Sequence, residues 1–274
     1  NMFSLIVPTL FKNKNFIIDN LSKVANYNLN LEIIIIFQNI TEKEFQMNSN
    51  SFLKFKKIKT YNIERVGISA ARNFGIQQSL YPWILLMDDD LIIEEGTLFQ
   101  LSTNLSSKHH FFYYCNTLVI NSNYHFLKFQ ATSKFLGYFN FHRISSVSLI
   151  IHKSIFNQIG LFNEKIGAGK YYGSSEETDL IYRAFKSKIK IFYLKNINFF
   201  HPKAIMDRKK SIDYARGFGM FIKLNYAKAS LKWKLIFLYL ILFRTILIFY
   251  PKPNNFSYLL ALFKVLSSNQ NENL

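Results

Sequence analysis

The feature that most constrains the fold is a series of short apolar segments that alternate with helix-forming stretches. The clearest segment is LEIIIIF at 31–37, a β-branched run typical of a strand buried on both faces of a parallel sheet. Similar segments at 3–8 (FSLIVP) and 83–87 (WILLM) accompany helical periodicity at 16–27 and 69–78. Strand–helix–strand repetition of this length predicts an α/β fold with a mostly parallel central sheet flanked by helices.

Further elements extend this pattern toward the C-terminus. Residues 58–61 predict another short strand, and the aromatic, alternating stretch at 111–151 predicts strands that extend or cap the sheet. A helix is expected at 176–187, and two late strands are expected at 190–194 and 197–200.

The charge of the chain indicates a polyanionic partner. There are 34 Lys and Arg residues against 17 Asp and Glu residues, a net charge of +17. The sequence has no run of five basic residues and no nucleic-acid-binding motif, so we expect no nucleic acid partner. The basic residues concentrate at 203–234, directly before an apolar run, which favours an anionic membrane surface. A single cysteine, Cys115, excludes a disulfide scaffold and a Cys-rich zinc module.

From residue 211 onward the pattern is helical and contains the longest apolar run, LIFLYLILFRTILIFY at 235–250. The run is shorter than the roughly 20 residues that span a bilayer, and Arg244 in its middle is costly in lipid. We therefore predict a helix lying in the interface of an anionic membrane. A helix buried in the core or in a dimer interface is the alternative.

Three consecutive aspartates, Asp88, Asp89 and Asp90, directly follow the strand at 83–87. Ligands of open α/β sheets bind beyond the carboxyl ends of the strands. Adjacent carboxylates repel one another unless a cation or ribose hydroxyls offset their charge, and Mg²⁺ and Mn²⁺ prefer oxygen ligands. The triplet predicts a metal that holds a diphosphate, with a solvated turn or helix cap as the alternative.

A second acidic cluster, Glu176, Glu177 and Asp179, opens a predicted helix after the Gly-rich loop at 167–169. Helix capping alone explains one or two carboxylates in a first turn. A carboxylate placed here can instead act as a general base toward an attacking hydroxyl.

Two further positions carry chemistry. Arg72 and Asn73 lie on the helix before the aspartates, and an arginine suits a phosphate. His201 follows a predicted strand and is either structural or a ligand.

Taken in order, these motifs resemble glycosyltransferase family 2, whose members have the GT-A fold. The matching segments are VPT at 7–9, GISAARN at 67–73, WILLMDDD at 83–90, FNE at 162–164, GAG at 167–169, EETD at 176–179 and HP at 201–202. The resemblance covers about residues 2–205, with a nucleotide-sugar half at about 2–100 and an acceptor half at about 101–205. Residues 206–274 remain as a C-terminal helical extension, which we expect to be membrane-associated.

The resemblance implies roles for individual residues. The nucleotide-sugar site comprises Pro8, Thr9, Gln38, Arg72, Asn73, Asp88 and Asp89. The metal site, for Mn²⁺ or Mg²⁺, comprises Asp88, Asp90 and His201, the aspartates standing for the DxD motif of the family. Glu177 matches the catalytic base, with Glu176 and Asp179 beside it in the second, acceptor-side acidic cluster.

One position departs from the family pattern. The strand at 32–37 usually ends in an Asp that reads the nucleotide base, but Gln38 and Asn39 stand there instead. An amide can still hydrogen-bond to a uracil edge, although it can shift the preferred nucleotide. The Gln and Arg-Trp pattern of processive synthases is also missing, which favours transfer of one sugar per event.

The resemblance therefore implies an inverting, metal-dependent glycosyltransferase with a UDP-linked donor. The expected acceptor is a lipid-linked or surface glycan in capsule, lipopolysaccharide or related polysaccharide synthesis, reached at the inner face of a bacterial inner membrane. We expect a cytoplasmic, peripheral protein because the first strand begins at residue 3 without a preceding signal peptide. The alternatives are an inactive nucleotide-sugar-binding relative, or a nucleotidyltransferase, which would want a glycine-rich loop that residues 3–14 lack.

Overall fold

A computed structural model describes residues 2–106, 111–122, 124, 135–203, 205–246 and 254–268. The strands in these residues are β1 (Phe3–Thr9), β2 (Leu31–Gln38), β3 (Ile58–Ile63), β4 (Trp83–Leu86), β5 (Phe112–Val119), β6 (Leu149–His152) and β7 (Phe192–His201). The helices are α1 (Lys14–Asn26), α2 (Glu42–Ser49), α3 (Ile68–Gln78), α4 (Glu95–Ser106), α5 (Ser154–Ile159), α6 (Glu176–Lys186), α7 (Arg208–Tyr226), α8 (Leu231–Ile246) and α9 (Asn255–Ser267).

The strands form one seven-stranded sheet in the order β3-β2-β1-β4-β6-β5-β7. Strand β6 runs antiparallel to both of its neighbours, β4 and β5, while the other pairings between the seven named strands are parallel. The predicted mostly parallel α/β sheet is therefore confirmed. The single reversed strand joins the four N-terminal strands to β5 and β7.

Strand β2 shows why the apolar runs predicted the sheet so directly. Its isoleucines alternate between two cores: Ile34 and Ile36 face one side of the sheet, whereas Ile33 and Ile35 face the other. A strand with helices on both faces must be apolar at every position. Helices α1 and α4 cover one face, and α3, α6 and the C-terminal helices cover the other.

Two sequence predictions need correction or extension. The expected late strands at 190–194 and 197–200 are one strand, β7, which continues through exposed Lys195 and Asn196. Asn196 has a positive φ of 66°, and the partner strand β5 shifts register between Tyr114 and Asn116, so an irregularity interrupts the apolar pattern without ending the strand. In the stretch at 111–151, β5 and β6 are strands as predicted, while 123 and 125–134 lie outside the described residues.

The C-terminal helices pack onto the sheet. Trp233, Ile236, Phe237 and Leu240 of α8 are buried in the same core as Ile84 of β4. The opposite face of α8 leaves large apolar side chains exposed. Among the described residues, no helix has both the length and the apolarity needed to cross a bilayer. Residues 247–250 of the predicted apolar run lie outside the described residues.

Candidate active site

The site lies at the carboxyl ends of β1, β2 and β4, which are neighbours in the sheet. Thr9 ends β1, and its hydroxyl donates a hydrogen bond of 2.5 Å to Oδ2 of Asp89. Gln38 ends β2, and its Oε1 accepts a hydrogen bond of 2.9 Å from the backbone N–H of Gly67, directly before α3. Pro8 is buried in β1 beside Thr9. These residues, which were predicted to contact the nucleotide-sugar, therefore lie together at the carboxyl ends of the strands. Gln38 also fixes the start of α3.

Asp88, Asp90 and His201 form a group that could hold a metal ion. One ligand atom from each residue lies within 4.8 Å of the others. Nε2 of His201 is 3.0 Å from Oδ1 of Asp90 and 3.8 Å from Oδ2 of Asp88. The other ring nitrogen, Nδ1, donates to the carbonyl oxygen of Pro202 at 2.7 Å, which turns Nε2 toward the carboxylates. The two carboxylates are the oxygen ligands that Mn²⁺ and Mg²⁺ prefer, and the added imidazole nitrogen fits the transition metal Mn²⁺ better than Mg²⁺.

The charges in this group are balanced by cations. Burial raises the pKa of Asp88, but hydrogen bonding to His201 and the charge of Arg72 outweigh it and hold the pKa below its ordinary value. Burial lowers the pKa of His201, yet its hydrogen bonds to Asp88 and Asp90 raise that pKa to about 10. The pKa of Asp89 is raised by burial and by the two neighbouring carboxylates.

Arg72 joins the two acidic clusters. Its side chain is 1% exposed, Nη2 donates to Oδ1 of Asp88 at 3.0 Å, and Nη1 donates to Oε1 of Glu176 at 3.0 Å. Asn73, the next residue, exchanges hydrogen bonds of 2.8 and 2.9 Å with the backbone of Phe162 and donates to Glu164 at 3.0 Å. Helix α3 therefore holds the aspartates on one side and the loop before α6 on the other.

The second acidic cluster divides into two environments. Glu176 is 6% exposed and pairs with Arg72. Glu177 is partly exposed, and burial together with the Glu176 carboxylate raises its pKa well above the ordinary value. Asp179 is buried and bonds instead to Nε of Arg183 at 2.9 Å and to Nδ2 of Asn225 at 3.1 Å. A raised pKa and partial exposure suit Glu177 for accepting a proton.

Tyr214 of α7 belongs to the site but was not identified from the sequence. Burial and the carboxylates of Glu177, Glu176 and Asp88 raise its pKa to about 12. Its backbone oxygen accepts a hydrogen bond of 3.0 Å from the Ser174 hydroxyl. The sequence carries no signal for this contact, because Tyr214 stands in an ordinary helical pattern.

The fold has close counterparts among solved structures. Residues 1–349 of S. aureus TarS in complex with UDP-GlcNAc align with a TM-score of 0.68 at 16% identity, covering 97% of this chain and 80% of that one. The same protein in complex with UDP aligns with a TM-score of 0.58 at 15% identity, covering 85% and 76%. The structure of TarS 1–349 alone gives 0.59 at 15% identity, covering 88% and 79%. At this identity the likeness establishes the fold, which is the GT-A fold.

The fold and the acidic site at its carboxyl edge define the class of nucleotide-sugar glycosyltransferases. Residues 4–164 match the model of the family described as "Glycosyl transferase family 2". This match spans more than half of the chain, and the chain belongs to that family. Among curated proteins, no sequence matches this chain.

Proposed function

We propose that the protein is an inverting, metal-dependent glycosyltransferase that moves one sugar from a UDP-linked donor to an acceptor hydroxyl. The observation that carries the proposal is that Arg72 bonds to both Asp88 and Glu176, which joins the cation-balanced aspartate cluster to the helix turn that carries Glu177, a carboxylate with a raised pKa. The donor class is supported by the TarS structures of the same fold, which hold UDP-GlcNAc and UDP.

In this proposal Glu177 accepts the proton of the acceptor hydroxyl. The hydroxyl oxygen then attacks the anomeric carbon from the face opposite the diphosphate, so that the configuration inverts. A base with a raised pKa is matched to this step near neutral pH. Thr9, Gln38 and Asp89, at the carboxyl edge of the sheet, are the proposed contacts of the nucleotide and ribose.

Asp88, Asp90 and His201 are the proposed ligands of a divalent cation. When bound there, Mn²⁺ or Mg²⁺ supplies positive charge next to the departing diphosphate. The imidazole must give up its proton to act as a ligand, because its pKa near 10 keeps it protonated at neutral pH in the absence of metal.

The proposed acceptor is a lipid-linked or surface glycan of bacterial capsule, lipopolysaccharide or related polysaccharide synthesis, reached at the cytoplasmic face of the inner membrane. Residues 214–271 include eight Lys or Arg and no Asp or Glu. The large apolar side chains that α8 and α9 expose are Leu231, Leu235, Leu238, Tyr239, Leu242, Ile246, Phe256, Leu260 and Phe263. Apolar side chains on basic helices suit peripheral binding to anionic lipid.

The enzymatic proposal is tested by nucleotide release from a panel of sugar nucleotides, each with Mn²⁺, with Mg²⁺ and with chelator. We expect metal-dependent release from one UDP-sugar, and a supplied acceptor should increase it. Release that is unaffected by chelator would contradict the metal assignment. Donor binding without turnover for every acceptor tried would favour the inactive-relative alternative.

The membrane proposal is tested by sedimentation with anionic and neutral liposomes. Replacing Leu235 and Leu238 together by Asp should release the protein from anionic liposomes, since both side chains lie on the exposed face of α8. Leu53→Asp is the matched control, because Leu53 is 77% exposed but follows α2. Equal sedimentation of the double variant and the wild type would contradict the proposal.

A further inference from the structure

Arg72 is placed as a link between two protein carboxylates. Both of its Nη groups are used at 3.0 Å, one by Asp88 and one by Glu176. Its Nε has no hydrogen-bond partner within the described residues, and Cζ lies 5.8 Å from the centroid of the Phe162 ring. With 1% of its surface exposed, the guanidinium offers almost nothing to a diphosphate.

The geometry of a guanidinium explains what this link does. Its planar fork fixes the directions of the two acceptors, which a point-charge ammonium cannot do. Asp88 follows β4, whereas Glu176 begins α6 and directly precedes Glu177. One side chain of α3 therefore sets the first turn of α6 relative to the end of β4.

We propose that Arg72 is a positioning residue that couples the donor site to the base Glu177, acting through Asp88 on one side and Glu176 on the other. This inference rests on the proposed function, because it takes Glu177 as the base. In this proposal Arg72 affects the reaction through Asp88 and Glu176 and does not itself bind the donor.

The groups that face Glu177 determine the direction of the expected effects. Burial and Glu176 on the same helix raise its pKa, and Arg72 from α3 lowers it. Tyr214 from α7 also faces Glu177 and stays neutral at ordinary pH, because its pKa is about 12. Removing the Arg72 cation should therefore raise the pKa of Glu177, and removing the Glu176 charge should lower it.

The experiment compares Arg72→Met, Arg72→Lys and Glu176→Gln in the full chain. The acidic limb of the kcat/KM pH profile should move to higher pH in Arg72→Met and to lower pH in Glu176→Gln. We expect kcat of Arg72→Met at neutral pH to fall about 10- to 100-fold, the usual effect of removing a residue that orients a metal ligand, here the proposed ligand Asp88. Arg72→Lys should keep the wild-type limb while losing part of kcat, since it keeps the charge but not the fork. Donor affinity, measured by calorimetry with UDP, should change less than about threefold in Arg72→Lys, a difference of roughly 0.7 kcal/mol.

Lys23→Met is the control, because Lys23 is an exposed cation on α1, which packs on the face of the sheet opposite α3 and α6. Its pH profile should match the wild type. Shifts of Arg72→Met and Glu176→Gln in the same direction, or unmoved limbs, would overturn the proposal. So would UDP affinity at least tenfold weaker in Arg72→Lys with kcat unchanged, which would make Arg72 a donor ligand.

The test remains informative if Arg72→Met does not fold, and it separates failure of the positioning role from failure of the proposed function. If Arg72→Met does not fold, as judged by thermal unfolding, Glu176→Gln still tests the direction of the pKa shift, and Arg72→Lys still tests the loss of kcat. Failure of the proposed function is distinguished by the wild type itself, which would then release no nucleotide from any donor. If turnover is lost in Glu177→Gln but is unchanged in the Arg72 and Glu176 variants, the positioning role is refuted while the proposed function stands.

Discussion

The two acidic clusters lie at the same edge of the sheet and share one arginine, yet the pKa of Asp88 in one and the pKa of Glu177 in the other are shifted in opposite directions. Asp88 has His201 and Arg72 beside it, so its pKa is lowered despite burial. Glu177 has burial and the like charge of Glu176, so its pKa is raised. The difference teaches that the neighbouring charges, more than the residue type, separate a carboxylate suited to a cation from one suited to a proton.

The largest effect that would sharpen this comparison is expected in Glu177→Gln. An amide cannot accept the acceptor proton, and kcat should fall by about 10²- to 10⁴-fold. Donor affinity should stay near the wild-type value, because Glu177 lies in the cluster that holds no donor contacts in our proposal. Nucleotide-release kinetics and calorimetry with UDP measure the two quantities. A parallel loss of donor affinity would count against the base assignment.

The first cluster should respond through metal affinity instead. Asp90→Asn and His201→Gln each remove one proposed ligand, and Mn²⁺ affinity should fall roughly 10- to 100-fold, or about 1.4–2.8 kcal/mol. Titration of Mn²⁺ followed by electron paramagnetic resonance measures this loss. Glu94→Gln is the control, since Glu94 is an exposed acid four residues after Asp90. Unchanged Mn²⁺ binding in both ligand variants would place the metal elsewhere.

The pH dependence of metal binding gives a more specific effect, about tenfold for each pH unit. His201 is protonated below its pKa of about 10, so binding must displace one proton. Apparent Mn²⁺ affinity should therefore rise about tenfold per pH unit between roughly pH 6 and pH 8. The slope should flatten in His201→Gln. A flat profile in the wild type would show that the imidazole is not a ligand.

The smallest effect concerns the part of the second cluster that faces away from the site. Asp179→Asn weakens the bonds to Arg183 and Asn225 and should cost about 1–3 kcal/mol of folding free energy. A lower Tm in thermal unfolding measures this cost. At temperatures where the variant is folded, kcat should stay near the wild-type value. A loss of kcat comparable to that of Glu177→Gln would contradict the structural role that we give to Asp179.

The sheet could be predicted because strands buried on both faces are apolar at every position, which is visible in the sequence. Strands β1, β2 and β4 are continuous apolar segments, and the acidic triplet marks the end of β4. Helix α2 was missed although Thr41 and Glu44 form a capping box at its start, because no residue of α2 is buried and its apolar periodicity is weak. Strand β7 was split because its polar residues occupy an irregularity that faces solvent.

The residues of the site could be predicted from the sequence, but the directions in which their side chains point could not. Sequence order indicates that the strand ends converge, which brings Thr9 next to Asp89. Nothing in the sequence indicates that Asn73 bonds to the Phe162 backbone or that Asp179 turns toward Asn225. Those orientations depend on how α3, α6 and α7 pack, and side-chain direction within a helical turn follows from tertiary contacts.

The bond between Arg72 and Glu176 joins residues 104 positions apart, and this separation bears on how the chain assembles during synthesis. Strands β1 to β4 use residues 3–86 only, so the parallel half of the sheet can pair while the remainder is still being translated. At that stage Arg72 has no Glu176 to bury against. The Arg72 guanidinium must therefore remain hydrated in the nascent half, and it loses this water when α6 packs against it. If the chain assembles in this order, closure of the proposed catalytic centre is a late folding event, and a chain that stalls before α6 would form most of the sheet without that centre.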